Sequence, residues 1–157
     1  MSRVARTVRV AFDTSVLVAA VQPLHPRHEV ALLWVSAAAG GKIGGTWTTH
    51  AVAETWAVLT AMPAPARVSA SAALAAVRRL SERIPVSPLG PDAYLRALDR
   101  CVANNLRSGS VYDALHLISA EDGNADALLT FNTADFERFS PMIKVVEPPA
   151  KVGPFSA

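Results

Sequence analysis

Residues 8–15, Val8-Arg9-Val10-Ala11-Phe12-Asp13-Thr14-Ser15, run apolar and β-branched up to a single carboxylate and then turn polar. A short apolar run of this kind reads as a buried strand over Val8–Phe12 that ends at Asp13. Asp13 is the only charged residue between Arg9 and Arg27. Two other acids share this isolation. Glu54 sits in HAVAETWAVLTAM, between Lys42 and Arg67, and Asp113 in SVYDALHLISA, between Arg107 and Glu121. Asp and Glu are rarely fully buried unless something compensates the charge, because desolvating a lone carboxylate costs several kcal/mol. Three acids in such settings point to a fold that gathers them around a cation.

Outward from this strand the pattern alternates. Thr14 and Ser15 lead into a short apolar helix stopped by Pro23, and Pro26 favours a helix start that runs on through Glu29–Ala39. Gly40, Gly41, Gly44 and Gly45 mark a tight connection into a strand around Thr46–Thr48. Val52, Trp56 and Leu59 keep helical spacing, which puts Glu54 on a helix ending before Pro63 and Pro65. Arg67–Arg83 is alanine-rich and helical, Pro85–Pro88 a strand bounded by prolines, and Pro91–Asn105 a further helix. Val111, Ala114, Leu115 and Ile118 recur at i, i+3, i+4 and i+7, predicting a helix with Asp113 near its start and off its apolar stripe. Ala127–Thr130 reads as a strand, Asn132–Phe139 as a turn and short helix, and Ile143–Val146 as a last strand.

Strands alternating with helices predict a three-layer α/β/α fold around a mainly parallel sheet, with the site at the carboxyl ends of the strands. Asp13, Asn132 and Asp135 follow strands directly and fall on that side. The expectation is one domain over residues 1–157, with a core of about 8–146 and Pro148–Ala157 a loose tail.

Composition narrows the class. Hydrophobic residues make up 51% and charged ones 18%, which excludes a disordered chain. No apolar run reaches the roughly 20 residues of a membrane helix, and the basic N-terminal stretch MSRVARTVRVAF lacks a small-residue cleavage site, so no signal peptide is read. Cys101 is the single cysteine, which rules out an internal disulfide framework and fits a reducing cytoplasm. The formal charge is only +2, a weak pointer to nucleic acid. Arginines do gather at Arg78, Arg79 and Arg83, and at Arg96, Arg100 and Arg107, as RNA contacts or as solvated helix faces.

Four segments in order carry a resemblance: the strand ending in Asp13-Thr14-Ser15; the Thr-rich strand end leading to Ala53-Glu54; Tyr112-Asp113-Ala114-Leu115; and Leu128-Leu129-Thr130-Phe131-Asn132-Thr133-Ala134-Asp135-Phe136. From about Val8 to Val146 the chain resembles a PIN domain, in its compact form similar to VapC-type toxin ribonucleases. The resemblance implies a Mg²⁺- or Mn²⁺-dependent endoribonuclease leaving a 5′-phosphate and a 3′-hydroxyl. It also implies a homodimer and a cognate antitoxin protein that blocks the acidic cleft. Asp13, Glu54 and Asp113 correspond to the family's invariant acids. Asp135 is the fourth acid, with Asn132 a neutral ligand or orienting group, since many relatives carry an acid where this chain has Asn132.

The chemistry matches these residue types. Phosphodiester hydrolysis builds negative charge on phosphate oxygens and the leaving group, and a hard divalent ion held by carboxylates neutralises it and acidifies an attacking water. Ser15 and Thr49 are placed to hydrogen-bond the carboxylates. Taken singly, Asp13 also fits a turn, Glu54 a surface position, Asp113 a helix start and Asp135 a cap. His50 and His116 share faces with Glu54 and Asp113 and read as orienting or packing residues first, with a metal-ligand role as the lesser alternative. His25 and His28 are too sparse for zinc, and Gly41-Lys42-Ile43 fails the phosphate-loop pattern. Two rivals remain: a non-catalytic RNA- or partner-binding domain of the same fold, and an acid-cluster phosphatase, for which Asp13-Thr14-Ser15 lacks the second acid.

Overall fold

The computed structural model describes residues 5–156. Residues 1–4 of the stretch read for a signal peptide, and Ala157 of the expected tail, lie outside the described residues. In chain order the elements are β1 (Arg9–Phe12), α1 (Thr14–Val21), α2 (His28–Ala39), β2 (Gly44–Thr48), α3 (Thr49–Ala61) and α4 (Ala70–Arg83). Then follow β3 (Val86–Ser87), α5 (Pro91–Ala103), α6 (Ser110–Asp122), β4 (Ala127–Leu129), α7 (Thr133–Glu137) and β5 (Lys144–Val146).

The strands form one sheet in the order β3-β2-β1-β4-β5, with every pairing parallel. β1 is central, setting Val10 opposite both Gly45 of β2 and Ala127 of β4. From β1 the chain builds out to β2 and β3, then returns to place β4 on the other flank. The strand order therefore reverses between β1 and β4, and the crevice outside the carboxyl ends of the strands at such a reversal is where open α/β sheets bind ligands. Asp13 follows β1, and Thr130 follows β4.

Side chains along each strand alternate between two cores. Val10, Phe12 and Leu129 pack with Leu17 of α1, Trp34 of α2 and Val77 of α4. Ala11, Leu128 and Val145 pack on the opposite face with Cys101 of α5, Leu115 and Ile118 of α6 and Phe136 of α7. Burial on both faces is what makes the strands read as near-unbroken apolar runs, and the three-layer architecture is the expected one.

Several boundaries shift for local reasons. α4 starts at Ala70, later than the expected Arg67, because Ser69 caps it, its Oγ accepting from Ala72 N at 3.2 Å. α5 ends at Ala103, short of Asn105, which turns to a left-handed φ of 54°. On α6 the apolar stripe is wider than predicted: Ala114 through Ile118 are all buried and Val111 only half so, because this helix packs against the sheet and against α5 and α7 at once. The segment after Pro148, expected to be loose, lies against α2. The Trp34 indole N–H donates to Pro149 O at 2.7 Å, and the Phe155 ring stacks on Trp34 at 5.5 Å. A buried indole N–H needs an acceptor, and this segment supplies it.

Two of the gathered arginines are structural. Arg96 forks onto Asp122 at 2.7 and 3.0 Å, and Arg100 onto the nearly buried Glu121 at 2.6 and 2.9 Å, joining α5 to α6.

Gly45 leaves room for α2 against the sheet: a Cβ there would stand 2.7 Å from Ala38 Cβ and 3.0 Å from Phe12 Cε2. Gly45→Ala should therefore overpack this layer and cost about 1–3 kcal/mol. Urea unfolding checks this as a lower midpoint with an unchanged slope.

Candidate active site

Asp13 is 4% exposed. Its Oδ2 accepts from Ser15 Oγ at 2.8 Å and from Thr130 Oγ1 at 2.7 Å. Each hydroxyl also accepts from the segment after β4: Ser15 Oγ from Phe131 N at 3.1 Å, and Thr130 Oγ1 from Asn132 N at 2.9 Å. The ends of β1 and β4 are thus tied through one carboxylate oxygen, and Oδ1 faces the imidazole of His116, whose Nε2 is 3.6 Å away.

Glu54 arrives from α3. That helix is capped by Thr48, whose Oγ1 accepts from Ala51 N at 3.0 Å. Glu54 Oε2 lies 3.1 Å from His50 Nε2 one helical turn earlier, and Oε1 lies 3.6 Å from His116 Nε2. His116 is almost wholly buried, with Nδ1 3.3 Å from Thr48 Oγ1, and its Nε2 has no hydrogen-bond partner. Burial opposes charge on both partners. It is outweighed at Glu54 by contacts with His116 and Thr14, the His116 charge and the His50 bond, which bring the carboxyl down to about 2. At His116 burial disfavours the imidazolium, but Glu54, Asp13 and Asp113 together raise its pKa.

Asp113 stands in the first turn of α6. Burial, then the charge of Asp13, push its carboxyl up to about 6; Asp135 and Glu54 add to this, while His116 pulls the other way. The other three expected acids thus all bear on Asp113. Asp135 is at the rim, in the first turn of α7, with a half-exposed side chain 3.6 Å from Arg138. Asn132 is exposed at the start of α7 and makes no side-chain cap bond. Thr49 serves elsewhere, its Oγ1 accepting from Leu89 N at 3.1 Å.

Sequence reasoning missed two features. Thr130 was seen only as the end of a strand, and the signal was a hydroxyl placed where the strand leaves the core. The second is the place of His116, which lies between two carboxylates, its Nε2 3.6 Å from both Asp13 Oδ1 and Glu54 Oε1. Among the described residues, the potential metal ligands whose atoms all lie within 4.8 Å of one another are His50, Glu54 and His116. Cys101 is buried in α5, where burial and then Asp113 push its thiol up, which leaves it unsuited as a nucleophile. A cavity of about 900 Å³ lies at the opposite edge, by Thr7, Val8, Lys42 and Ile43 where β1 and β2 begin.

Residues 10–140 match the family model described as PIN domain. Ribonuclease VapC27 of Mycobacterium tuberculosis is 32% identical over 117 residues, covering 74% of this chain and 80% of the relative. Among solved structures, the fold is similar to the sarcin-ricin-loop-cleaving toxin VapC20 of Mycobacterium tuberculosis, with a TM-score of 0.67, 24% identity, and coverage of 85% of this chain and 96% of that one. It is also similar to VapBC2 of Rickettsia felis bound to a promoter DNA fragment, with a TM-score of 0.62, 16% identity, and coverage of 88% and 97%.

The Asp113 shift has a testable consequence. Because its carboxyl titrates near 6 in the folded chain against an ordinary 3.8, the folded state holds the extra proton between these values. Its contribution favours folding below that window and is lost as pH rises through about 6. Asp113→Asn should raise stability by about 1 kcal/mol at neutral pH after solvent screening, and by little near pH 4. Urea unfolding in chelator at the two pH values checks this.

Proposed function

The chain belongs to the PIN-domain family, among its VapC ribonucleases, and we propose that it is an endoribonuclease acting as the toxin of a type II toxin–antitoxin pair. The observation that supports this reading is the convergence of Asp13 and Glu54 on the buried His116, each 3.6 Å from its Nε2, with Asp113 in the field of Asp13, Asp135 and Glu54.

In this reading Asp13, Glu54, Asp113 and Asp135 are the catalytic and metal-holding acids, with Ser15 and Asn132 supporting. A divalent cation fits the donor set on two grounds. Asp113 is disfavoured as an anion by burial and then by the charges of Asp13, Asp135 and Glu54, a repulsion that a cation would relieve, and the donors offered are carboxylate oxygens, the hard ligands that Mg²⁺ and Mn²⁺ take. Bound Mg²⁺ or Mn²⁺ would neutralise charge building on the scissile phosphate and lower the pKa of the attacking water. The chain's own part is orientation. Ser15 and Thr130 fix Asp13 Oδ2, so Oδ1 is the oxygen left to face the site. His50 and His116 hold the Glu54 carboxylate ionised and in place.

Protein partners follow from the same reading: a second copy of the chain and an antitoxin. Two apolar surfaces suit such contacts. One is the exposed stripe Leu95, Leu98 and Val102 on α5; the other is a groove of about 540 Å³ between α3 and α4, lined by Val52, Trp56 and Leu74. Among the described residues no helix is long and apolar enough to cross a membrane, and the proposed place of action is the cytoplasm.

Incubation of total RNA with the purified protein and Mg²⁺ or Mn²⁺, followed by sequencing of the ends, tests the proposal. Cleavage should leave 5′-phosphate and 3′-hydroxyl ends, and Asp13→Ala, Glu54→Ala or Asp113→Ala should lower the rate by about 100-fold or more. Cyclic-phosphate ends formed in chelator would overturn the mechanism. RNA bound but left intact would favour a non-catalytic binding domain.

Saturating Mg²⁺ or Mn²⁺ should raise the melting temperature over that in chelator, and Asp13→Asn should shrink the shift. For the rim, Asp135→Asn should weaken the rate at limiting Mg²⁺ more than Asn132→Ala does, because an amide cannot offset the cation's charge.

A further inference from the structure

Tyr112 precedes Asp113 on α6 and is 47% exposed. One face of its ring lies on the His50 imidazole, with centroids 4.7 Å apart and planes 11° from parallel. His50 is itself fixed, its Nε2 3.1 Å from Glu54 Oε2 and its ring 5.7 Å from that of His116. His50 thus links the buried His116, to whose ring it is tilted by 59°, with an aromatic side chain nearly half in solvent. Phe131, beside Asp13's partners Ser15 and Thr130, differs: the Arg27 guanidinium lies 4.6 Å from its centroid, the His25 ring stacks at 6.2 Å, and Arg27 is pinned to Glu147 at 2.7 Å. The Phe131 ring is already covered, whereas nearly half of Tyr112 is exposed to solvent.

We propose that Tyr112, backed by His50, is a stacking subsite for an unpaired nucleobase of the substrate next to the scissile phosphate; the proposal rests on the ribonuclease reading above. Every base has a π-face, so such a platform binds with little sequence preference. It does demand an accessible base: one paired within an A-form helix is stacked on its neighbours and cannot lie on the ring, whereas a looped-out base can. The subsite therefore selects single-stranded or looped RNA over duplex. Because His50 fixes the ring beforehand, little side-chain freedom is lost on binding.

The test is coupling between Tyr112 and one base. An RNA oligonucleotide that the wild-type protein cuts is remade with each nucleobase in turn replaced by an abasic unit, and kcat/KM is measured for each. The wild type should lose about tenfold at one position beside the cut. Tyr112→Leu should lose about tenfold on the intact oligonucleotide and be indifferent to the abasic unit at that position, while Tyr112→Phe restores the wild-type pattern. Melting curves establish that the variants are folded. An unchanged Tyr112→Leu, or losses that simply multiply at every position, would overturn the subsite and make Tyr112 a packing or protein-contact residue. A wild-type protein that cuts no RNA would overturn the ribonuclease reading itself, and the subsite with it.

Discussion

Asp13 is nearly free of solvent, and its carboxylate is kept there by hydroxyls contributed from both sides of the sheet's central reversal. Ser15 and Thr130 each donate to Oδ2 and each accept a backbone N–H from the chain leaving β4. Without those bonds the buried charge would be left to cost several kcal/mol; with them, the same charge fixes how the ends of β1 and β4 meet. The positions of Asn132 and Asp135 depend on that junction, and so does the direction in which Oδ1 faces.

The charge around this junction is unbalanced. Glu54 is driven to about 2 by its histidine contacts despite partial burial, whereas Asp113 is pushed to about 6 by burial and by Asp13. One buried imidazole, its own pKa raised, stands against this group of acids. The arrangement thus disfavours the Asp113 anion in the isolated chain, and a divalent cation would relieve the part that its acidic neighbours contribute. That is the physical sense in which a preorganised charge site is stabilised less for folding than for its ligand.

The basic residues divide in a way that net charge does not reveal. Arg96 and Arg100 join α5 to α6 through paired carboxylates, and Arg27 is held between Phe131 and Glu147. Arg78, Arg79 and Arg83 on α4 remain exposed. A formal charge of +2 therefore understates how far cationic groups are already committed inside the fold, and the case for nucleic acid rests on the site and not on the pI.

The sequence by itself determined the alternation of strands and helices and the identity of the isolated acids. Both are one-dimensional signals: hydrophobic period follows the element it will occupy, and a lone carboxylate in an apolar run is costly wherever the chain goes. The tertiary structure alone decided that His116 stands between Asp13 and Glu54, that Thr130 completes the hold on Asp13, and that β3 shrinks to Val86–Ser87. It alone placed Tyr112 on His50 and spent Arg96 and Arg100 on Asp122 and Glu121. The reason is geometric. These contacts join side chains from different elements, most of them distant in the chain, and their distances and protonation exist only once the sheet order has brought those elements to one edge.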